Sequence, residues 1–237
     1  MADTYPPTPP PSTPGEPPPP VPPVSPATAP LPWEQPGYPF LEALYETAKL
    51  LVTAPTEAFR RVSVTVDLGR PLLYAILLGW IGIIAGQLYS IALRGVMTNL
   101  MPFQSPEGFA MGTGASIAVM VLAPVFVLLG IFIWSAIVHL FLMMFGGANA
   151  GFGATVRVMC YGTTAQLAQV VPLCGGIVGA VWAIVLEIIG LAQVHRTSQG
   201  KAALAVLLPL ALCCVCIAIR AALFGAAIMA AIGQSGS

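Results

Sequence analysis

The chain has 237 residues, of which 57% are hydrophobic and 8% charged, and its nine basic and nine acidic side chains cancel to zero formal net charge. With a mean hydropathy of +0.86, it carries too little charge to cover a water-soluble domain of this length, and it reads as a multi-span membrane protein. The sparse, scattered basic residues give no electrostatic footprint for nucleic acid.

Residues 1–36 are almost half proline, around the run PPTPPPSTPGEPPPPVPP. Proline lacks the amide donor and fixes φ, so the run excludes both helix and sheet ladder. It predicts a disordered, extended cytoplasmic tail of polyproline type. Its prolines, Pro17–Pro20 among them, suit either a ligand for an aromatic-lined groove or a plain spacer. No basic n-region leads into an apolar h-region, so the tail is not read as a signal peptide.

Residues 37–66 follow as an amphipathic juxtamembrane segment. Phe40, Leu44, Ala48, Leu51 and Val52 recur at helical spacing, with Glu42, Glu46 and Lys49 opposite, and Pro55 interrupts the pattern. Such a helix either lies in the cytoplasmic interface or packs on the ends of the bundle, and the two are compatible.

The membrane domain is expected over residues 67–232 as an all-α, five-helix transmembrane bundle. Its spans are placed at about 71–93, 117–145, 155–171, 173–193 and 202–223. The third and fourth form a hairpin turned at Pro172 and Gly175-Gly176. Lys49, Arg60, Arg61, Arg70, Arg157, Arg196 and Lys201 all fall on one side if the N-terminus is cytoplasmic, while the other side receives Arg94. The positive-inside bias therefore predicts a cytoplasmic N-terminus and a C-terminus outside.

Asp67, just before the first span, suits either a cap for its opening turn or a contact for a cytoplasmic partner. The glycine pairs Gly82/Gly86 and Gly175/Gly179 have the spacing of close helix contacts in lipid. Thr163, Gln166 and Gln169 lie on one arc of about 120° on an α-helix and are expected to face the bundle interior. They read either as interhelical glue or as a polar pocket for a headgroup or small solute. The ionisable residues inside the spans are His139, Glu187 and Arg220. Glu187 and Arg220 lie at different depths and should miss each other, with Arg220 snorkelling outward. His139 and Glu187 lie at similar depth and are expected to share a hydrogen bond. Cys213, Cys214 and Cys216 read as small apolar span residues, because no histidine or second cysteine pair has matching metal-ligand spacing.

Several stretches, taken in order, resemble the Yip domain family, the Ypt/Rab-interacting multi-pass membrane proteins. Asp67-Leu68-Gly69-Arg70-Pro71 is similar to the family's Asp-Leu-x-x-Pro element before the first span. Tyr161-Gly162 followed by Pro172 is similar to its third span. HLFLMMFGG (His139–Gly147), GFGATVRV (Gly151–Val158) and GLAQVHRTSQGKAALAVLLP (Gly190–Pro209) look most like its bacterial members. The resemblance covers about residues 33–223. It implies a cytoplasmic N-terminus, five spans, and a motif or partner-contact role for Asp67, Leu68, Pro71, Tyr161, Gly162 and Pro172. Eukaryotic relatives bind prenylated small GTPases in vesicle traffic, whereas the bacterial role is largely undefined. Arg70 departs from the glycine that many eukaryotic members carry before the proline.

No paired carboxylates, HExxH helix or phosphate-cradling glycine loop is present, so no enzyme activity and no cofactor are expected. The reading is a membrane adaptor or organiser with a protein partner at its cytoplasmic face, in contact with the lipid bilayer and binding no nucleic acid. Homo-oligomerisation stays open. The membrane is a bacterial cytoplasmic membrane, or Golgi or ER for a eukaryotic chain. The alternative is a small-solute, ion or lipid transporter that uses the polar stripe and Glu187.

Overall fold

The computed structural model describes residues 29–64, 67–100, 113–172 and 174–235. Among them the regular structure is helical throughout, with no strand. Pro17–Pro20 and most of the proline-rich segment lie outside the described residues, as do Leu173 and the side chain of Arg94. A 3-10 turn at Pro32–Glu34 leads into α1 (Phe40–Thr53) and α2 (Pro55–Arg60). Ala54 precedes a proline and is held out of the helical region at φ −143°, ψ 62°, which ends α1 and lets Pro55 open α2. The long helices are α3 (Gly69–Leu100), α4 (Thr113–Met144), α6 (Gly175–Val194) and α7 (Gln199–Ser235). Between α4 and α6 lies α5 (Phe152–Gly162), continued by a 3-10 segment, Thr163–Val170.

Among the described residues, four helices are long and apolar enough to cross a membrane: Gly69–Leu93, Gly114–Met144, Gly175–Val194 and Gln199–Gly225. Their outward faces fit a lipid solvent. Along α4, Ile117, Val121, Val125, Leu129 and Ile133 form one exposed apolar stripe at the four-residue spacing of a helix face. Pro124 stands inside α4 and cannot donate an amide to the carbonyl of Met120 one turn earlier. The indole Nε1 of Trp80 on α3 donates to that carbonyl at 2.9 Å, so the helix opening is satisfied from its neighbour.

The third expected span is not a single α-helix. α5 is 11 residues long, and from Thr163 the chain tightens into a 3-10 segment of 8 residues. The hydroxyls of Thr163 and Thr164 bond the carbonyls of Cys160 (2.6 Å) and Tyr161 (2.8 Å), three residues back, which favours the tighter turn. Packing on both sides selects it as well. A Cβ added to Gly82 on α3 would meet Gln166 Cβ at 2.8 Å, and one added to Gly175 on α6 would meet the Ala168 carbonyl oxygen at 2.1 Å. The thin 3-10 segment thus lies between two glycine-faced helices. Below it, α5 is buried from Ala154 through Gly162 and packs against α3, α4 and α6.

The proline-rich segment also ends earlier than expected. Leu31 is fully buried and Trp33 is 5% exposed, so residues 31–36 belong to the folded bundle. The first large apolar side chains after the prolines have a core to enter, and their burial offsets the entropy of ordering this stretch.

α4 and α6 terminate alike. Gly147 N–H donates to Leu142 O and Gly146 N–H to Met143 O, with Gly146 at φ 61°, the Schellman arrangement. At the end of α6, Thr197 N–H donates to Ala192 O and Arg196 N–H to Gln193 O. The left-handed position there is Arg196, at φ 49°.

Candidate functional site

Polar chemistry concentrates at the end of the bundle where α3 and α5 begin and α4 and α6 finish. Its centre is Glu34. The carboxylate accepts the Ser63 amide (2.9 Å) and the Tyr161 hydroxyl (2.7 Å), and Arg157 Nη1 lies 3.7 Å away. Arg157 is 2% exposed and donates to the Asp67 carbonyl. The expectation of a basic flank at the start of a span is thus refined: this guanidinium is an interior clamp joining α5, Asp67 and the N-terminal segment. Burial pushes the Glu34 carboxyl above its ordinary range, against the lowering effect of Ser63, Tyr161 and the two nearby arginines.

Trp33 fastens the same segment from the other side. Its amide donates to Thr47 Oγ1 (3.0 Å) and its indole to the Arg70 carbonyl (2.6 Å), while Arg70 Nη1 donates back to the Trp33 carbonyl (3.1 Å). Its ring packs edge-on to Tyr74, which in turn meets Tyr161. Trp33 and Glu34 were missed from the sequence. The signal was there in Leu31-Pro-Trp-Glu34, large apolar and acidic residues closing a proline run. A cavity of about 290 Å³ opens beside the lock, between Pro30, Glu34, Asp67, Arg70 and Arg157. Asp67 itself accepts the Gly69 amide at 2.8 Å, so it caps the first turn of α3 with its side chain and receives Arg157 with its carbonyl. Leu68 is half-buried and Pro71 buried.

A second polar chain joins α4, α5 and the end of α6. Ala150 N–H donates to His195 Nδ1 (3.1 Å), and His195 Nε2 lies 2.9 Å from Thr155 Oγ1. Because Nδ1 accepts, the neutral ring carries its proton on Nε2 and donates it to Thr155. Thr155 then gives its own proton to His139 Nδ1, 2.8 Å away. Burial, with His139 nearby, lowers the His195 pKa to about 4. The ring has no lone pair left facing solvent on which to take a second proton.

His139 and Glu187 therefore do not pair. Glu187 instead accepts the Trp134 indole at 3.0 Å. Trp134 and His139 are five residues apart on α4, which separates them by about 140° around the helix and about 7.5 Å along it. Similar depth did not fix azimuth, and α5 supplies Thr155 to the histidine. Glu187 lines a cavity of about 240 Å³ with Trp134, Thr163 and Gln166, where Gly79, Gly130 and Gly162 leave the room. Gln169 Nε2 donates to Gln166 Oε1. A 3-10 segment repeats every three residues, so Thr163, Gln166 and Gln169 form one row rather than a 120° arc. That row faces α3, where Cβ atoms on Gly82 and Gly86 would meet Gln166 and Gln169. A Cβ added to Gly179 would likewise stand 2.9 Å from the Ala165 carbonyl oxygen.

The remaining residues lie apart from these clusters. Pro172 is exposed beyond the 3-10 segment, and Arg220 is exposed on α7, away from Glu187. Cys213, Cys214 and Cys216 are exposed on the same helix. Among the described residues, no group of three His, Cys, Asp or Glu side chains is placed to hold a metal ion.

Searches among curated proteins and among solved structures gave no match. The Yip1 domain family model matches residues 49–220, the stretch that holds the Asp67 cap, the Arg157 clamp, the histidine chain, the first three apolar helices and most of the fourth. The chain is an integral multi-pass membrane protein and belongs to the Yip1 domain family.

Proposed function

We propose that this protein is a non-enzymatic membrane adaptor whose cytoplasmic face recruits or regulates a protein partner. The observation that carries this reading is the lock on residues 31–36. Trp33 and Glu34 anchor residues 31–36 on the bundle, beside an apolar stripe of α1 that is left exposed among the described residues. Leu41 is 76% exposed and Tyr45 63%, and both lie within about 40° of Val52 around the helix. Such a stripe next to Glu42, Glu46 and Lys49 suits the headgroup boundary or a partner helix.

In this reading α5 and its 3-10 continuation form the third of five crossings. At about 1.5 Å per α residue and about 2.0 Å per 3-10 residue, the two together reach about 33 Å, the thickness of the hydrocarbon core. The N-terminus is then cytoplasmic and the C-terminus outside, with the basic residues gathered around the Glu34 lock on the inner side.

A second reading, movement of a small solute or lipid, draws on the cavity beside Glu187. Against it, Thr163 and Thr164 donate to carbonyls of α5, Gln169 donates to Gln166, and Thr164 also bonds the Tyr74 hydroxyl on α3, which favours packing glue over a solute path. In-cell crosslinking with partner identification tests the adaptor. The full chain should capture a partner that a chain lacking residues 1–28 loses, with Gln166→Leu leaving solute and lipid flux in reconstituted vesicles unchanged. Flux that vanishes in Gln166→Leu while capture survives the deletion would favour the transporter.

A further inference from the structure

We propose that the cavity beside Glu187 is a binding site for a primary ammonium group carrying a short apolar stem, a site independent of partner recruitment. Glu187 is the one acidic side chain in its lining, and no lysine, arginine or histidine lines it. Among the described residues no cation lies within ion-pair distance of this carboxylate. One of its oxygens takes the Trp134 indole, which leaves the other to accept. A carboxylate in a low-dielectric bundle with no counter-charge is costly, and a bound cation removes that cost.

The lining selects among cations. Thr163 spends its proton on the Cys160 carbonyl, so its lone pairs remain to accept. Glu187 and Thr163 thus offer acceptors to a group with several N–H donors, which a primary ammonium has and a quaternary one lacks. Apart from Gln166 and the Trp134 indole, the rest of the wall, Ile83, Phe126 and Met159 among it, is apolar and suits an alkyl stem. The volume of about 240 Å³ corresponds to roughly eight water-sized groups, which excludes a large metabolite. The cavity also reaches the outer surface of the bundle, because Phe126 on its rim is 52% exposed. Two sources share this chemistry: a free small amine, and the ethanolamine headgroup of a lipid drawn inward.

The test uses the full chain in nanodiscs and reads the unfolding temperature. In phosphatidylcholine discs, n-butylammonium chloride should raise it saturably, whereas butanol and tetramethylammonium should not. If the source is lipid, adding phosphatidylethanolamine to the discs should raise it without any amine and blunt the effect of n-butylammonium. Glu187→Gln should weaken n-butylammonium binding about ten- to a hundredfold, the loss of one charge-assisted contact. Gly130→Leu keeps the carboxylate but fills the space, since a Cβ there meets nothing within 4 Å, and it should abolish the shift. The proposal is overturned if neither n-butylammonium nor phosphatidylethanolamine moves the wild-type transition. It is equally overturned if the shift survives in both Glu187→Gln and Gly130→Leu, or if tetramethylammonium matches n-butylammonium.

Discussion

Adjacent glycines at the start of α6 should respond to the same substitution in opposite directions. A Cβ on Gly175 would stand 2.1 Å from the Ala168 carbonyl oxygen, 2.9 Å from its carbon and 3.1 Å from Gln169 Cα. All three are backbone atoms, so no side chain can swing aside, and the helix must move away from the 3-10 segment by about 1 Å to restore ordinary contact. Overpacking of this kind costs about 1–3 kcal/mol. The same carbonyl accepts the Val171 amide at 2.9 Å, and disturbing that bond adds about 1 kcal/mol. The better helix propensity of alanine returns at most about 1 kcal/mol. Gly175→Ala should therefore destabilise by about 1–3 kcal/mol. Gly176→Ala, whose Cβ meets nothing within 4 Å, should be neutral or stabilise by up to about 1 kcal/mol. Titration with SDS from a mild detergent, followed by circular dichroism, reads the difference. Equal midpoints for the two variants would refute the close approach of α6 to the 3-10 segment.

Three further outcomes follow from particular contacts. Arg196 occupies a left-handed position at φ 49° that suits glycine, so Arg196→Gly should raise the unfolding midpoint by about 1 kcal/mol, and a lower midpoint would show that the arginine side chain outweighs the strain. The His195 pKa is depressed to about 4 from 6.5, so its contribution is present above pH 6.5 and is lost as pH falls toward 4; the loss amounts to about 3 kcal/mol for this 1%-exposed ring, and a pH series on His195→Asn should be flatter across that window. Trp80→Phe should cost about 1–2 kcal/mol by orphaning the Met120 carbonyl, and the cost should disappear in a Pro124→Ala background, where the restored amide takes that carbonyl; an unchanged cost there refutes the assignment.

Much of this architecture was legible in the sequence because lipid simplifies the code. Four of the five expected apolar spans became long helices, and Asp67 before a proline became a cap. What was not legible depended on neighbours. The 3-10 form of Thr163–Val170 is favoured by glycines on α3 and α6 that press from both sides, and no local propensity encodes that pressure. His139 and Glu187 could be assigned a depth from chain position but not an azimuth, and Trp134 and Thr155 claimed them separately. Arg157 read as a flanking charge because its partners, Glu34 and Asp67, come from parts of the chain about 120 and 90 residues away. Leu31 and Trp33 were hidden by composition, since a proline count averages over the few side chains that have somewhere to go.

The contact between Trp80 and the Met120 carbonyl has a consequence for how the chain enters its membrane. A helix opened by proline is a poor candidate for insertion alone, because it brings a bare carbonyl into hydrocarbon. Synthesis runs from the N-terminus, so α3 with its indole donor is delivered before α4 with the acceptor. The second apolar helix thus meets its hydrogen-bond donor already in the bilayer. Reversing the two segments in a permuted chain would leave every final contact possible while removing that order of arrival.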